Sequence, residues 1–143
     1  MTATTKPRGL LFVHPDFDRG NETGLVCSSS GRLELVDGAA LLRQSLLILL
    51  STMPGERVMR PDYGCELLTL AFAPNGDTTA GLAAHFVRQA VERFEPRVRI
   101  LQIHAGRSPE SPHRLDVTLT YQPRLGGQPQ DLRVGLPLNG EEN

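Results

Sequence analysis

Lysine is nearly missing from this chain: Lys6 stands alone, and every other member of the 15 Lys+Arg residues is arginine. Tryptophan is absent, and Tyr63 and Tyr121 are the two tyrosines, a poor inventory for stacking sugar rings. Cys27 and Cys65 are isolated, without the CxxC spacing of a metal knuckle or redox pair, which predicts a reduced, cytoplasmic protein. His14, His85, His104 and His113 are scattered with no HExxH, so no metal is expected. No GxSxG supplies a nucleophile elbow, and no GxGxxG or GxxxxGK[ST] supplies a phosphate cradle, so no cofactor is expected either. The longest apolar run, around Leu46–Leu50, is far too short to span a bilayer, and Met1–Arg8 is too short and polar for a signal peptide. With a net charge of -1, no global field favours nucleic acid or an anionic membrane. The sequence therefore predicts no nucleic-acid partner and no direct membrane insertion.

The 143 residues are enough for one domain with a real core. We expect a disordered tail over 1–9, a single α+β domain over 10–138 and a flexible tail over 139–143. The arginine bias suits fixed pairs and interfaces, because a guanidinium is a rigid fork and an ammonium a mobile, hydrated point charge. A GC-rich genome would give the same bias.

The most apolar stretch follows Asp37, a good N-cap. Leu42, Leu46, Leu49, Leu50 and Met53 form one helical stripe, and Leu41 and Ile48 a second patch that could face another subunit. Pro54-Gly55 stops the helix near Met53 and opens the loop Glu56-Arg57-Val58-Met59-Arg60-Pro61-Asp62-Tyr63-Gly64. Before it, Leu10–Val13 is a short apolar run and His14–Asn21 a loop, while Leu25–Ser28 and Arg32–Val36 read as a hairpin across Ser29-Ser30-Gly31. After it, Gly64–Phe72 reads as a short helix. Asp77 or Thr78 then caps a long helix over about 79–94, with the stripe Leu82, Phe86, Ala90, Phe94 and Ala83, Val87 and Val91 beside it. Three strands follow: Val98–Ala105, apolar in part on both faces; Leu115, Val117, Leu119 and Tyr121 in strict alternation; and Leu132, Val134 and Leu136. The fold class is α+β: two main helices and a short one on an antiparallel meander, with an N-terminal hairpin.

Two places carry the functional argument. Glu95-Pro96-Arg97 puts a carboxylate at the negative end of a helix dipole, tolerable if an arginine is near, with Arg93, Arg97, Arg57 and Arg60 as candidates. Proline fixes the helix exit, so Glu95 and Arg97 project from a rigid corner. Glu56, Glu92 and Glu95 are the carboxylates a glycosidase pair would need, but spacing in sequence shows no separation in space. The last strand, Leu132–Leu136, lies near the chain's end and could form a sheet edge able to take a strand from another protein.

Several ordered segments resemble one family: Ser45–Thr52, Pro54-Gly55-Glu56-Arg57-Val58-Met59, Pro61–Leu67, Phe72 and Glu95-Pro96-Arg97-Val98. Over about 10–138 the chain is similar to the small baseplate wedge protein of contractile phage tails, the lysozyme-like gene-product-twenty-five family, with relatives in type VI secretion and extracellular injection systems. The resemblance implies a non-enzymatic structural subunit, one per wedge of a hexameric baseplate, assembled in the cytoplasm and carried in the particle. It implies wedge contacts at Glu95, Pro96, Arg97, Glu56 and Arg57. It also implies sheath-strand pairing at Leu132, Arg133, Val134, Gly135 and Leu136. Other wedge subunits, the sheath protein and tail tube or hub proteins are the implied partners. Relatives from injection systems often end this region in an aromatic PFY-like run where the chain has Gly135-Leu136-Pro137-Leu138. Two alternatives stay open: a peptidoglycan-hydrolysing enzyme, and a regulatory protein-binding module of the same fold, because a bacterial anti-adaptor resembles the family.

Overall fold

The computed structural model of the chain describes residues 8–10, 12–13, 24–25, 29–32 and 35–138. The chain divides into two compact units, Met1–Ile48 and Leu49–Asn143.

In the first unit, β1 (Arg8–Leu10) pairs antiparallel with β4 (Leu35–Asp37), and β2 (Phe12–Val13) with β3 (Gly24–Leu25). The expected hairpin is not seen among the described residues. A turn does form at Ser29-Ser30, with Gly31 at φ +81°, but the described residues of β3 and β4 each pair with the N-terminal run, and residues 26–28 and 33–34 lie outside the described residues. Strand-forming composition marks a strand without naming its partner, and the apolar run Leu10–Val13 competes for both. Of the expected tails, residues 1–7 and 139–143 lie outside the described residues, as does the loop over 14–21, while Arg8 and Gly9 belong to β1. A Cβ at Gly9 would come 2.7 Å from Leu41 Cδ1, so the leucine tip would have to shift.

The helix α1 (Gly38–Ser51) leaves β4 directly, through Gly38 at φ +59°. Asp37, expected as its cap, is the last residue of β4, opposite Arg8. Leu41, Leu46, Leu47, Leu49 and Leu50 are buried, whereas Leu42, Ile48 and Met53 are half-buried. Leu41 therefore belongs to the core and not to a free second patch. A helix apolar on most of its circumference does not reveal its inward face by periodicity.

The second unit holds a 3₁₀ helix (Glu66–Phe72), α2 (Asp77–Phe94) and three antiparallel strands in the order β5 (Val98–Arg107), β6 (Arg114–Pro123), β7 (Gln130–Pro137). Gly76, not Asp77 or Thr78, is the N-cap of α2, and no side chain caps it. Asp77 sits in the first turn, where the helix dipole favours an acid. The buried face of α2 is Ala83, Val87, Ala90 and Val91, with Thr79; Leu82 is 42% exposed, and Phe86 and Phe94 are half-buried. Small residues form the true seam because α2 lies close on β5 and the 3₁₀ helix.

A bulge explains the two-faced reading of β5. Ile100 faces Tyr121 and Gln102 faces Thr120, so Leu101 is an extra residue that resets the alternation. Val98, Ile100, Ile103 and Ala105 thereby share one face with Leu115, Val117, Leu119 and Tyr121 of β6. On β7, Leu132, Val134 and Leu136 complete that face and are fully buried. Each such side chain contributes roughly 1.5–3 kcal/mol on burial.

Candidate functional site

The proline-locked corner forms where α2 becomes β5. Glu95 leaves helical geometry (φ -130°, ψ 72°) because Pro96 disfavours it there, yet its amide still donates to Val91 O at 2.9 Å. The side chain turns inward and is 5% exposed. Arg97 meets it with two parallel bonds, Nε to Oε1 at 2.6 Å and Nη2 to Oε2 at 2.9 Å. Such a fork is among the strongest polar contacts a protein makes. Its hydrogen bond to Glu95 raises the already high pKa of Arg97, and 41% of the Arg97 side chain remains exposed. Of the four arginines proposed to offset Glu95, Arg97 alone pairs with it. Arg93 reaches Asp62 at 3.3 Å, Arg60 lies 3.9 Å from Asp62, and Arg57 stacks over the Tyr63 ring at 4.8 Å. Glu92 pairs with Arg88 one turn back at 3.5 Å, in solvent.

The loop carrying Glu56 and Arg57 lies beside this corner, and Tyr63 joins the two. Its ring stands edge-on to Phe94 at 5.2 Å, with Arg60 over both rings. Burial raises the pKa of the Tyr63 phenol, with Arg57 opposing, Glu95 adding, and Arg60 and Arg97 opposing. The loop is closed by its own backbone: Gly55 N–H donates to Pro61 O and Cys65 N–H to Thr52 O, each at 2.8 Å. Met53 N–H donates to the Glu56 carboxylate at 3.1 Å, so Glu56 braces the loop's entry. Gly64 closes the exit at φ +142°, where a Cβ would come 2.5 Å from Thr52 O. Cys65, next along, is buried; its thiol approaches Phe86 O at 3.5 Å, and burial pushes its pKa up to about 11.

The other predicted residues lie at the opposite side of the sheet. Among the described residues β7 has β6 as its single strand neighbour, so it is an edge. Arg114 O accepts from Ser108 N–H on the β5 side, and Leu138 N–H donates to His113 O. Backbone polarity alternates along a strand, so Leu132, Val134 and Leu136 bond to β6, while Asp131, Arg133, Gly135 and Pro137 turn their backbone outward. Proline at the last of these outward positions removes no ladder bond. On the solvent-side face, Arg133 reaches Asp116 at 2.5 Å and Arg114 approaches it at 3.3 Å; the hydrogen bond to Asp116 raises the pKa of Arg133. A Cβ at Gly135 would meet the Arg114 guanidinium, which would have to move aside. Asp116 Oδ1 and Arg114 Nε are buried without a well-formed hydrogen bond.

The structure thus gathers Glu95, Pro96, Arg97, Glu56 and Arg57 in one region and holds Leu132–Leu136 apart. Sequence reasoning missed Tyr63 as the joint between loop and corner. It also missed Arg124, whose amide donates to Arg97 O and whose Nε donates to Pro96 O, each at 2.9 Å. Its one signal was a position just before Gly126-Gly127. Among the described residues no group of His, Cys, Asp and Glu could hold a metal ion, and no helix is long and apolar enough to cross a membrane.

Comparison with known proteins identifies relatives of the chain. The family model for baseplate wedge protein gp25 matches residues 36–127. The chain is 34% identical over 93 residues to baseplate protein W of Escherichia phage P2, covering 65% of this chain and 79% of that protein. Among solved structures it is similar to a Geobacter sulfurreducens protein described as a tail lysozyme, with TM-score 0.65, 29% identity and coverage of 83% of this chain and 100% of that one. It shares its fold with a chain of the anti-feeding prophage baseplate, with TM-score 0.65, 24% identity and coverage of 80% and 84%. The match spans the long helices, the loop and the corner, and on that ground the chain belongs to the baseplate wedge protein gp25 family.

Proposed function

We propose that this structural baseplate subunit works by joining and not by turnover, with two contact regions of different kind. The corner Glu95-Pro96-Arg97, with Glu56 and Arg57 beside it, contacts another wedge subunit, and the β7 edge pairs with a strand of the sheath protein and starts sheath assembly. Tube or hub proteins are further neighbours. Assembly takes place in the cytoplasm, and the particle is a hexameric, contractile tail or injection machine.

The observation that carries the non-enzymatic reading is the state of Glu95. Both of its oxygens accept from one guanidinium and the side chain is buried, an arrangement that braces the corner and does not present the carboxylate to a substrate. Glu56, the other carboxylate of the region, is exposed and spends an oxygen on the Met53 amide. The description of the Geobacter relative as a tail lysozyme is the reason to test hydrolysis directly.

Co-expressed with the other wedge subunits, Glu95→Ala and Arg97→Ala are expected to fold as monomers and fail to enter the wedge. Normal wedges from both variants would refute the contact. Asp131→Pro, which removes an outward amide from β7, is expected to give complete baseplates without sheath. Clearing of purified peptidoglycan by the wild-type chain, lost in Glu95→Gln, would replace the structural reading with an enzymatic one.

A further inference from the structure

Around the corner stand exposed apolar side chains that its pairing does not explain. On one side the loop presents Val58 and Met59, which are 94% and 89% exposed, between Arg57 and Arg60. On the other side the β6–β7 turn presents Leu125, 91% exposed, directly after Arg124. The two sides are tied to one frame. Arg57 and Arg60 stack on Tyr63, which lies within electrostatic reach of Glu95 and Arg97, and Arg124 is bonded to the backbone of Pro96 and Arg97. Arg99 and Arg124, with Gln122, Pro123 and Gly126, line a cleft of about 240 Å³ beside the turn.

Charge on this surface is lopsided. Glu95 is consumed by Arg97, and Asp62 is shared between Arg60 and Arg93. Among the described residues Arg57, Arg99 and Arg124 have no carboxylate partner within 4.0 Å. Three large apolar side chains held in water beside three uncompensated guanidinium groups are unusual for a surface meant to stay wet. Arginine and methionine are also enriched where proteins meet.

We infer that Val58, Met59, Arg99, Arg124 and Leu125 extend the corner into one docking surface for an acidic segment of a neighbouring wedge subunit, with carboxylates set beside apolar side chains. This rests on the proposed wedge contact and adds to it the partner's chemistry and a second anchoring point on the β6–β7 turn. Apolar anchors supply affinity at the two ends, the arginines select an acidic partner, and the fork at Arg97 keeps the ends at fixed spacing.

The test measures binding of the full chain to the co-expressed wedge subunits of the same particle. The variants are Leu125→Ser, the double Val58→Ser/Met59→Ser, and Arg99→Glu, all at exposed positions whose side chains make no hydrogen bond among the described residues. Each is expected to weaken binding by about tenfold or more, with unchanged thermal unfolding. Wild-type binding is expected to fall by a similar factor between about 0.05 and 0.5 M salt, because exposed charge pairs are screened. Acid-to-arginine changes in the partner should restore binding to Arg99→Glu. If Glu95→Ala abolishes binding while all three surface variants bind like the wild type, the wedge contact stands and this inference falls. If the wild type does not bind the wedge subunits at all, both fall. Self-association of the isolated chain that Leu125→Ser abolishes would assign the surface to a second copy and overturn the inference.

Discussion

The corner at Glu95–Arg97 and the edge at β7 offer partners opposite things. At the corner the backbone is spent internally: Val91 O, Pro96 O and Arg97 O all accept bonds from within the unit, and while Glu95 is buried, Pro96 and Arg97 are exposed. Along β7 the core-facing side chains Leu132, Val134 and Leu136 are spent, and it is the backbone of Asp131, Arg133 and Gly135 that faces outward. A contact through side chains depends on identity and charge at named positions. A contact through backbone depends on strand geometry and tolerates side-chain change. The two proposed contacts would therefore answer to different changes, the corner to side-chain identity and the edge to strand geometry.

The sharpest way to break the contrast is to spoil the frame of the corner alone. Gly64→Ala forces a Cβ onto the Thr52–Pro54 backbone at a positive φ, and is expected to cost about 3–4 kcal/mol in urea unfolding. The corner contact should be lost with it, and retention of wild-type stability would show that the loop is not braced there. Alkaline pH acts on the same side. The folded Cys65 pKa, about 11, lies above its ordinary 9.0, so its contribution is whole below pH 9 and is lost as pH climbs toward 11. The loss amounts to about 2–3 kcal/mol, measurable as a falling urea midpoint that Cys65→Ala flattens over that window.

Next in size, Arg97→Ala leaves a buried carboxylate unpaired. It is expected to cost about 2 kcal/mol, less than a fully buried pair because Arg97 is 41% exposed. Arg97→Lys should recover part of that stability but not the fork, and so should separate folding from wedge binding. The smallest effect belongs to the edge. Asp131→Pro removes an outward amide and the exposed bond that Thr120 Oγ1 donates to the Asp131 carboxylate, but no backbone bond to β6, so unfolding should move by about 1 kcal/mol or less while strand addition is blocked. A large destabilisation would mean that this amide already has a partner within the chain.

Reading the sequence recovered the meander almost residue for residue, because strict alternation at Leu115–Tyr121 and Leu132–Leu136 admits one inward face. It erred by one step around α2, where Leu82 and Phe94 outweighed Ala83 and Val87 by size alone although the small residues form the seam. The bulge at Leu101 left its trace as a strand apolar on both faces, a pattern that only pairing could resolve. At the site, Pro96 announced a rigid corner, but which arginine would meet Glu95 was open among four. Salt bridges depend on ångström-scale placement that no spacing rule supplies.

What the order of residues determined alone was the sequence of elements in the second unit and the helix stops at Pro54 and Pro96. These follow from local forces: periodic burial and the restrictions proline places on its neighbour. Partner choice was settled by the folded chain: β3 and β4 against the N-terminal run, Arg97 against Glu95, Tyr63 between loop and corner and, among the described residues, β7 against β6 alone. Such choices are made between segments far apart in the chain, where many pairings satisfy the same local preferences and the packed whole selects among them.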